Sequence, residues 1–449
     1  VGAIAGIAQP QMDSSVNKML DKMAYRGQAG RKVFDVKGAT LGAIWTEMQA
    51  EHMNELEEQS LVIDYVAEGH MAQAQVKKGN LELMRDELGA APLYYGHMKD
   101  GTVCFASEVK GLLEVSRDVN LLAPGHRYIN GKLERYYHLK TQPQLEEKAE
   151  VIADELRSRL EDTLSDFAKE NDVLGSWLSG GLDSSTMAAL AHPNVEKLHT
   201  FAAGFEGAPD IKYACQVADY IGSDHHEVIV TFDDLLTILP DVIYHLESFD
   251  ALLVRSSITN YLVAQEAANY VPAVFSGEGA DELFAGYTYL KSVDKKMLTK
   301  ELIDITQRLH NTALQRVDRS ASAHGTIAHL AFLDPNIVDY ALRIPPRYKL
   351  QGDIEKWILR KAMLEKLPKP VALRTKAKFW EGAGVKNLLA QYAKVQIEDS
   401  EFKREKTLPN GWLLNSKEEL LYYRIFRQHF GELENLSWMG RTKGAPKSP

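Results

Sequence analysis

Cysteine is nearly absent from this chain: 449 residues contain two, Cys104 and Cys215. They lie far apart, show no metal-ligand spacing and allow at most one bridge. That excludes a disulfide framework and leads us to expect a reducing compartment, the cytoplasm. Long apolar runs are also missing. None approaches the roughly 20 residues of a membrane-spanning helix, and the first residues lack the basic start of a secretion signal, so no membrane partner is expected. Basic charge is in deficit, with 52 Lys+Arg against 62 Asp+Glu and a formal net charge of −10. This removes the broad basic face that nucleic-acid binding requires. Internal repeats and low-complexity tracts are absent. What remains, 45% hydrophobic and 25% charged, is ordinary for globular proteins, and the length suits two or three domains.

Residues 1–140 alternate short strand-like runs (Ala3–Ala8, Ala39–Trp45, Leu61–Ala67, Thr102–Ala106) with one helix-like run, Ser14–Tyr25. We expect a β-rich layered domain there. Residues 141–150 are polar, carry Pro143 and read as a linker. Over 151–439 strands and helices alternate, the pattern of an α/β unit with a parallel sheet, and the pattern turns helical after about residue 285. Residues 440–449 are small, basic and proline-bearing, and we expect them to be a disordered tail.

Two segments carry the chemistry. Ser179-Gly180-Gly181-Leu182-Asp183-Ser184-Ser185 follows the apolar run Val173–Leu178 and leads into a helix-like run, Thr186–Ala191. Glycines let backbone N–H groups approach an anion, and a helix N-terminus behind them adds partial positive charge. Asp183 would repel phosphate by itself, so it makes sense beside Mg²⁺. The second segment, Ser276-Gly277-Glu278-Gly279-Ala280-Asp281-Glu282, follows the strand-like Val271–Phe275. Two such loops belong at one crevice of an open parallel sheet.

These motifs carry a specific resemblance. SGGLDSS resembles the signature loop of the ATP pyrophosphatases, and SGEGADELFAGY resembles the second nucleotide loop of glutamine-dependent asparagine synthetases. LHTFAAGF at 198–205, ESFDALLVRSS at 247–257, FLD at 332–334 and RTKAKFWEGAG at 374–384 match the same family, so the likeness spans nearly the whole chain. The β-lactam and carbapenam synthetases are related. The resemblance implies an N-terminal-nucleophile, glutaminase-like layered β domain joined to an α/β ATP-pyrophosphatase domain with a helical C-terminal part. The implied reaction is adenylation of a small carboxylic acid by ATP with Mg²⁺, followed by transfer to ammonia or a small amine. A homodimer is compatible with it.

On this reading Ser179, Gly180, Gly181, Asp183, Ser184, Ser185, Ser276 and Asp281 take the ATP phosphates, with Asp183 and Asp281 on the metal. Leu178, Ala203 and Gly277 border adenine. Lys376 supplies positive charge at phosphorus and Glu278 is the base for nitrogen. Asp250 and Arg255 match a segment bordering the carboxylate substrate. Each has a plainer alternative: Asp281 as a helix cap, Glu278 as a loop carboxylate, Lys376 in a solvated basic cluster, Arg255 as a surface helix arginine.

The match also fails in places. The family opens on C-G-I-A-G-I, whereas here Gly2 stands at the cysteine position, and glycine offers no nucleophile. Leu41–Trp45 lacks the family's glutamine-binding arginine, and the Asn-Gly oxyanion pair has no counterpart between Leu61 and Val76. We expect a first domain without glutaminase activity. In the family pattern G-V-E-x-R-x-P-F-L-D, the acid and base are replaced by Ile327 and His329. His329 is a substrate-contact candidate or a core histidine, and the acid need not be aspartate. The alternatives are therefore an amide synthetase on another acid or amine, a β-lactam-type cyclase (disfavoured by Glu278, where those relatives carry tyrosine), and a non-catalytic nucleotide-binding homologue.

Overall fold

The computed structural model describes residues 2–53, 56–169, 171–375 and 387–442. In the N-terminal part, β1 (Ala3–Ile7), β2 (Gly30–Val36), β3 (Ala39–Trp45), β4 (Leu61–Ala67), β5 (His70–Lys77), β6 (Asn80–Arg85), β7 (Tyr94–His97), β8 (Val103–Ala106), β9 (Asn120–Leu121), β10 (His126–Ile129) and β11 (Lys132–Arg135) build two antiparallel sheets. Their orders are β2-β3-β1-β8-β7-β9 and β11-β10-β6-β5-β4. The sheets stack face to face: Ile4, Leu41 and Ala43 of one share a core with Val62, Ala72, Ala74 and Leu83 of the other.

Because successive side chains of a strand point to opposite faces, Ala3, Ala5 and Ile7 pack the other way. They meet Val16, Met19 and Leu20 of α1 (Asp13–Asp21). This explains why β1 is buried along its whole length. The sequence signal for β5 is the clean alternation His-Met-Ala-Gln-Ala-Gln, whose burial alternates in step. The hairpin between β10 and β11 turns on Asn130-Gly131, both at positive φ (50° and 77°), the geometry that Asn-Gly favours.

The second part is a five-stranded parallel sheet of β12 (Val173–Trp177), β13 (Lys197–Gly204), β14 (Asp224–Ile229), β15 (Ala273–Phe275) and β16 (Ile327–His329). Their order is β14-β13-β12-β15-β16. The order runs outward in one direction from β12 and reverses at β15, so the switch point lies between β12 and β15, where ligands of open α/β sheets bind. In the N-terminal part α2 (Val109–Leu112) packs beside α1 and β8. The second part carries α3 (Ala149–Ala168), α4 (Leu182–Ala191), α5 (Pro209–Ile221), α6 (Phe232–Leu246), α7 (Ala251–Ala267), α8 (Ala280–Leu283), α9 (Leu298–Gln307) and α10 (Ala313–Ser322).

A fully buried ionic cluster joins the two parts. Arg26 bonds Glu108 (2.7 Å) and Asp318 (2.9 Å) and pairs with Asp64; Arg319 bonds Glu108 (3.0 Å) and Glu247 (3.2 Å). Each guanidinium is thus paired with more than one carboxylate, as buried charges require. Arg26 also bonds the Gly2 carbonyl (2.6 Å), so the start of β1 is pinned to the interface. At the far end of the described chain, Arg441 pairs with Glu419 and Thr442 bonds Asp250; these two residues of the expected tail are docked. No helix among the described residues is long and apolar enough to cross a membrane.

Candidate active site

The chain leaves β12 at Trp177, turns through Leu178–Gly181 and enters α4, with Gly181 as its N-cap. Gly180 adopts φ +65°, and a Cβ there would stand 2.5 Å from the Ala214 nitrogen of α5, so both conformation and space demand glycine. Ser184 Oγ accepts the Ser179 N–H (3.1 Å) and closes the loop on itself. Leu178 is held by its N–H to the Phe201 carbonyl (2.8 Å). Ser185 is fully buried, and its hydroxyl has no hydrogen-bond partner among the described residues.

The second loop leaves β15 at Phe275 and enters the short α8. Ser276 is buried and bonded to the His329 carbonyl (3.0 Å) through its N–H. The structure brings the two loops into contact: a Cβ on Gly277 would lie 2.8 Å from the Ser184 nitrogen. Asp281 sits inside the first turn of α8, whose N-cap is Gly279, so it is not the cap.

Asp183 and Asp281 converge on one cation, and it is a residue the sequence did not single out. Lys356 Nζ pairs with Asp183 and lies 2.5 Å from Asp281 Oδ1; only 2% of its side chain is exposed. Gly286 makes room, since a Cβ there would collide with both the Asp281 carboxylate and Lys356 Cε. Lys356 holds a left-handed backbone (φ 54°) just ahead of the helix Trp357–Met363. Its partners lie far away in the chain, and that separation hides its role from a reading of local motifs.

Glu278 pairs with Arg316 of α10, and the two side chains are 24% and 13% exposed. The neighbouring Glu282 is buried, accepts the Tyr287 hydroxyl and is pushed up to about 8 by desolvation and then by the Asp281 charge. Burial beside a second carboxylate favours the protonated form of this carboxyl. Arg374 donates to the Gly180 carbonyl (3.0 Å) and to Asp210 of α5 (2.6 Å) and lies over the Tyr213 ring, 4.1 Å from its centroid. It thereby ties the first loop to α5. Lys376 lies outside the described residues.

The remaining expected residues are engaged elsewhere. Asp250 caps α7 by accepting the Leu253 N–H (2.9 Å) and also takes the Thr442 hydroxyl. Arg255 forms a bidentate pair with Glu418, itself bonded to Tyr422 (2.7 Å). Ala203 is buried on β13. His329 is a core side chain, packed on Phe167 (4.1 Å between centroids) and Phe275. Its Nδ1 has no partner among the described residues, and burial pushes it down to about 3.

Hard carboxylate oxygens from two loops, already gathered around one positive head, suit a divalent cation such as Mg²⁺, and Asp183 and Asp281 are the residues that fit it. The whole arrangement is a compact anion-and-cation cradle at the sheet's switch point.

Comparison with known proteins agrees with this geometry. The asparagine synthase family model matches residues 155–304 and 291–445, and the glutamine amidotransferase domain model matches 67–148. The glutamine-hydrolyzing asparagine synthetase B of Escherichia coli is 36% identical over 370 residues, covering 77% of this chain and 67% of the relative. A Lotus japonicus glutamine-hydrolyzing asparagine synthetase is 35% identical, with 77% and 63% covered. The chain thus spans about two thirds of the length of these relatives. Among solved structures, an NMN synthetase from Francisella tularensis aligns over 64% of this chain and 98% of its own, at 13% identity and TM-score 0.30. The loops, the parallel sheet and the extent of the match together place this chain in the asparagine synthase family.

Proposed function

We propose that this chain is an ATP-dependent amide-forming ligase that adenylates a carboxylic acid and transfers the acyl group to ammonia or a small amine. The observation that carries the reading is the convergence of Asp183 and Asp281, from two loops at the switch point, on Lys356.

In the first step a carboxylate oxygen attacks the α-phosphorus, the bond to the β-phosphate oxygen breaks and pyrophosphate leaves. Ser179, Gly181 and Ser184, with the α4 N-terminus, offer donors to that leaving group. Mg²⁺, when bound by Asp183 and Asp281, would neutralise charge on the pyrophosphate. Lys356 brings a fixed cation to the same place, where charge builds on the phosphorus oxygens. In the second step nitrogen attacks the acyl carbon, AMP leaves, and Glu278 takes the proton from nitrogen. Arg316 fixes the orientation of that carboxylate.

The first domain serves as a partner without glutaminase chemistry. Its support is Gly2: a side chain there would collide with the Ile44 carbonyl, while Asp64 takes its N–H (3.1 Å) and Arg26 its C=O (2.6 Å). Cys104, the one cysteine of that domain, is buried with its thiol pushed up to about 12 by desolvation, so it offers no thiolate.

The test is pyrophosphate release from Mg·ATP with aspartate and with a panel of other carboxylates, using ammonium, glutamine or no nitrogen source. We expect one acid to release pyrophosphate and form its amide with ammonium and not with glutamine. Glutamate produced from glutamine would overturn the first-domain reading. ATP binding without turnover on any acid would overturn the ligase reading.

A further inference from the structure

We propose that Cys215, His225 and Glu227 form a zinc-binding site at the outer edge of the parallel sheet. Cys215 lies on α5; His225 and Glu227 alternate along β14, the edge strand, so they share one face. One ligand atom from each lies within 4.8 Å of the others. The Cys215 thiol donates to Glu227 Oε1 at 2.7 Å.

The imidazole is prepared for a metal. Thr200, directly opposite His225 in the strand register, holds its Nδ1 through the hydroxyl at 2.9 Å. Nε2 is buried and has no hydrogen-bond partner among the described residues. A hydrogen bond on one ring nitrogen that leaves the other unengaged beside a thiol and a carboxylate is how ligating histidines are set. Thiolate, imidazole and carboxylate together are a donor set for zinc, with a fourth position left for water or a further oxygen. Asp219 stands one helical turn after Cys215, and its charge acts on both Cys215 and His225. The thiol is pushed up to about 11 by desolvation and by Glu227, so metal binding would replace its proton, releasing one proton to solvent.

The opposite face of β14 provides a contrast. His199, Asp224 and His226 also cluster, yet His199 and His226 bond each other (2.9 Å) and Lys197 already pairs with Asp224 (2.7 Å). That group satisfies itself. Zinc at Cys215 would fasten α5 to β14, and the start of the same helix packs Tyr213 against Gly180 and holds Arg374, the tether of the first glycine loop, through Asp210.

The experiment titrates the metal-free full chain with Co²⁺, reads the thiolate-to-cobalt charge-transfer absorption, and then displaces cobalt with Zn²⁺. We expect one equivalent to bind, with a zinc-induced rise in the thermal midpoint. Cys215→Ser should lose both signals while keeping its far-UV circular dichroism, and Cys104→Ser and His226→Gln should keep them. Thr200→Val, which removes only the hydroxyl behind His225, should weaken binding about 10- to 100-fold. Absence of the absorption band, its survival in Cys215→Ser, or its loss in His226→Gln would overturn the proposal.

Discussion

Gly277 of the second loop lies against Asp183 of the first, so close that a Cβ on Gly277 would stand 2.9 Å from the Asp183 carbonyl carbon. The contact is backbone on backbone and cannot be relieved by a rotamer change. Gly277→Ala should therefore part the loops that carry the two aspartates. We expect a stability loss of about 1–3 kcal/mol by denaturant unfolding together with a much larger drop in pyrophosphate release. A variant with full turnover would show that the loops tolerate separation.

Lys356 neutralises two carboxylates in one place, and its removal leaves them facing each other. Lys356→Met should reduce kcat for pyrophosphate release on the order of 10²- to 10³-fold, the range for losing one preorganised charge at a reacting centre. ATP binding, measured by calorimetry with Mg²⁺ present, should survive in weakened form. Unchanged turnover would remove Lys356 from the reaction.

Arg374 acts through the first loop and is a positioning residue, with its guanidinium shared between the Gly180 carbonyl and Asp210. Arg374→Ala should raise KM for ATP more than it lowers kcat, because the loop that receives the phosphates loses its tether to α5. Arg374→Lys should recover little, since one ammonium cannot span both partners. A fall in kcat with unchanged KM would argue for a direct part in the chemistry.

The two glycine loops were legible in the sequence because each lies on contiguous residues after an apolar strand, and the β12 and β15 placements follow from that. Asp183 and Asp281 could be paired because each lies in one of these loops and the family resemblance puts both on the metal. Lys356 could not: nothing within Glu355-Lys356-Trp357 announces a partner, and its carboxylates come from the two loops far upstream. Glu278 was visible, but its partner Arg316 sits on α10, where a basic residue in a polar helix looks like any solvated one. Arg255 and Asp250 matched a motif by type, yet Glu418 and the α7 N-terminus engage them in the structure. In the first domain β5 was missed because its alternation rests on alanine and glutamine, which carry little strand propensity.

His329 separates a core role from a substrate role by pH. Burial holds its folded-state value at about 3, below the ordinary 6.5. Below pH 6.5 the unfolded chain takes up a proton that the folded chain does not. Its contribution to stability is therefore complete above pH 6.5 and is lost progressively as pH falls toward 3, at up to about 1.4 kcal/mol per pH unit. His245 and His310, both at about 3, and His324, at about 4, are depressed for the same reason and keep acting in a variant. His329→Leu keeps an apolar contact with Phe167 and Phe275 and should flatten the acid limb of the stability profile between pH 6.5 and 4, measured by urea unfolding at each pH. Kinetics at pH 8 should stay close to the parent chain. A raised KM for the carboxylic acid with an unchanged acid limb would instead make His329 a substrate contact, and its place in the core would then have to open during turnover.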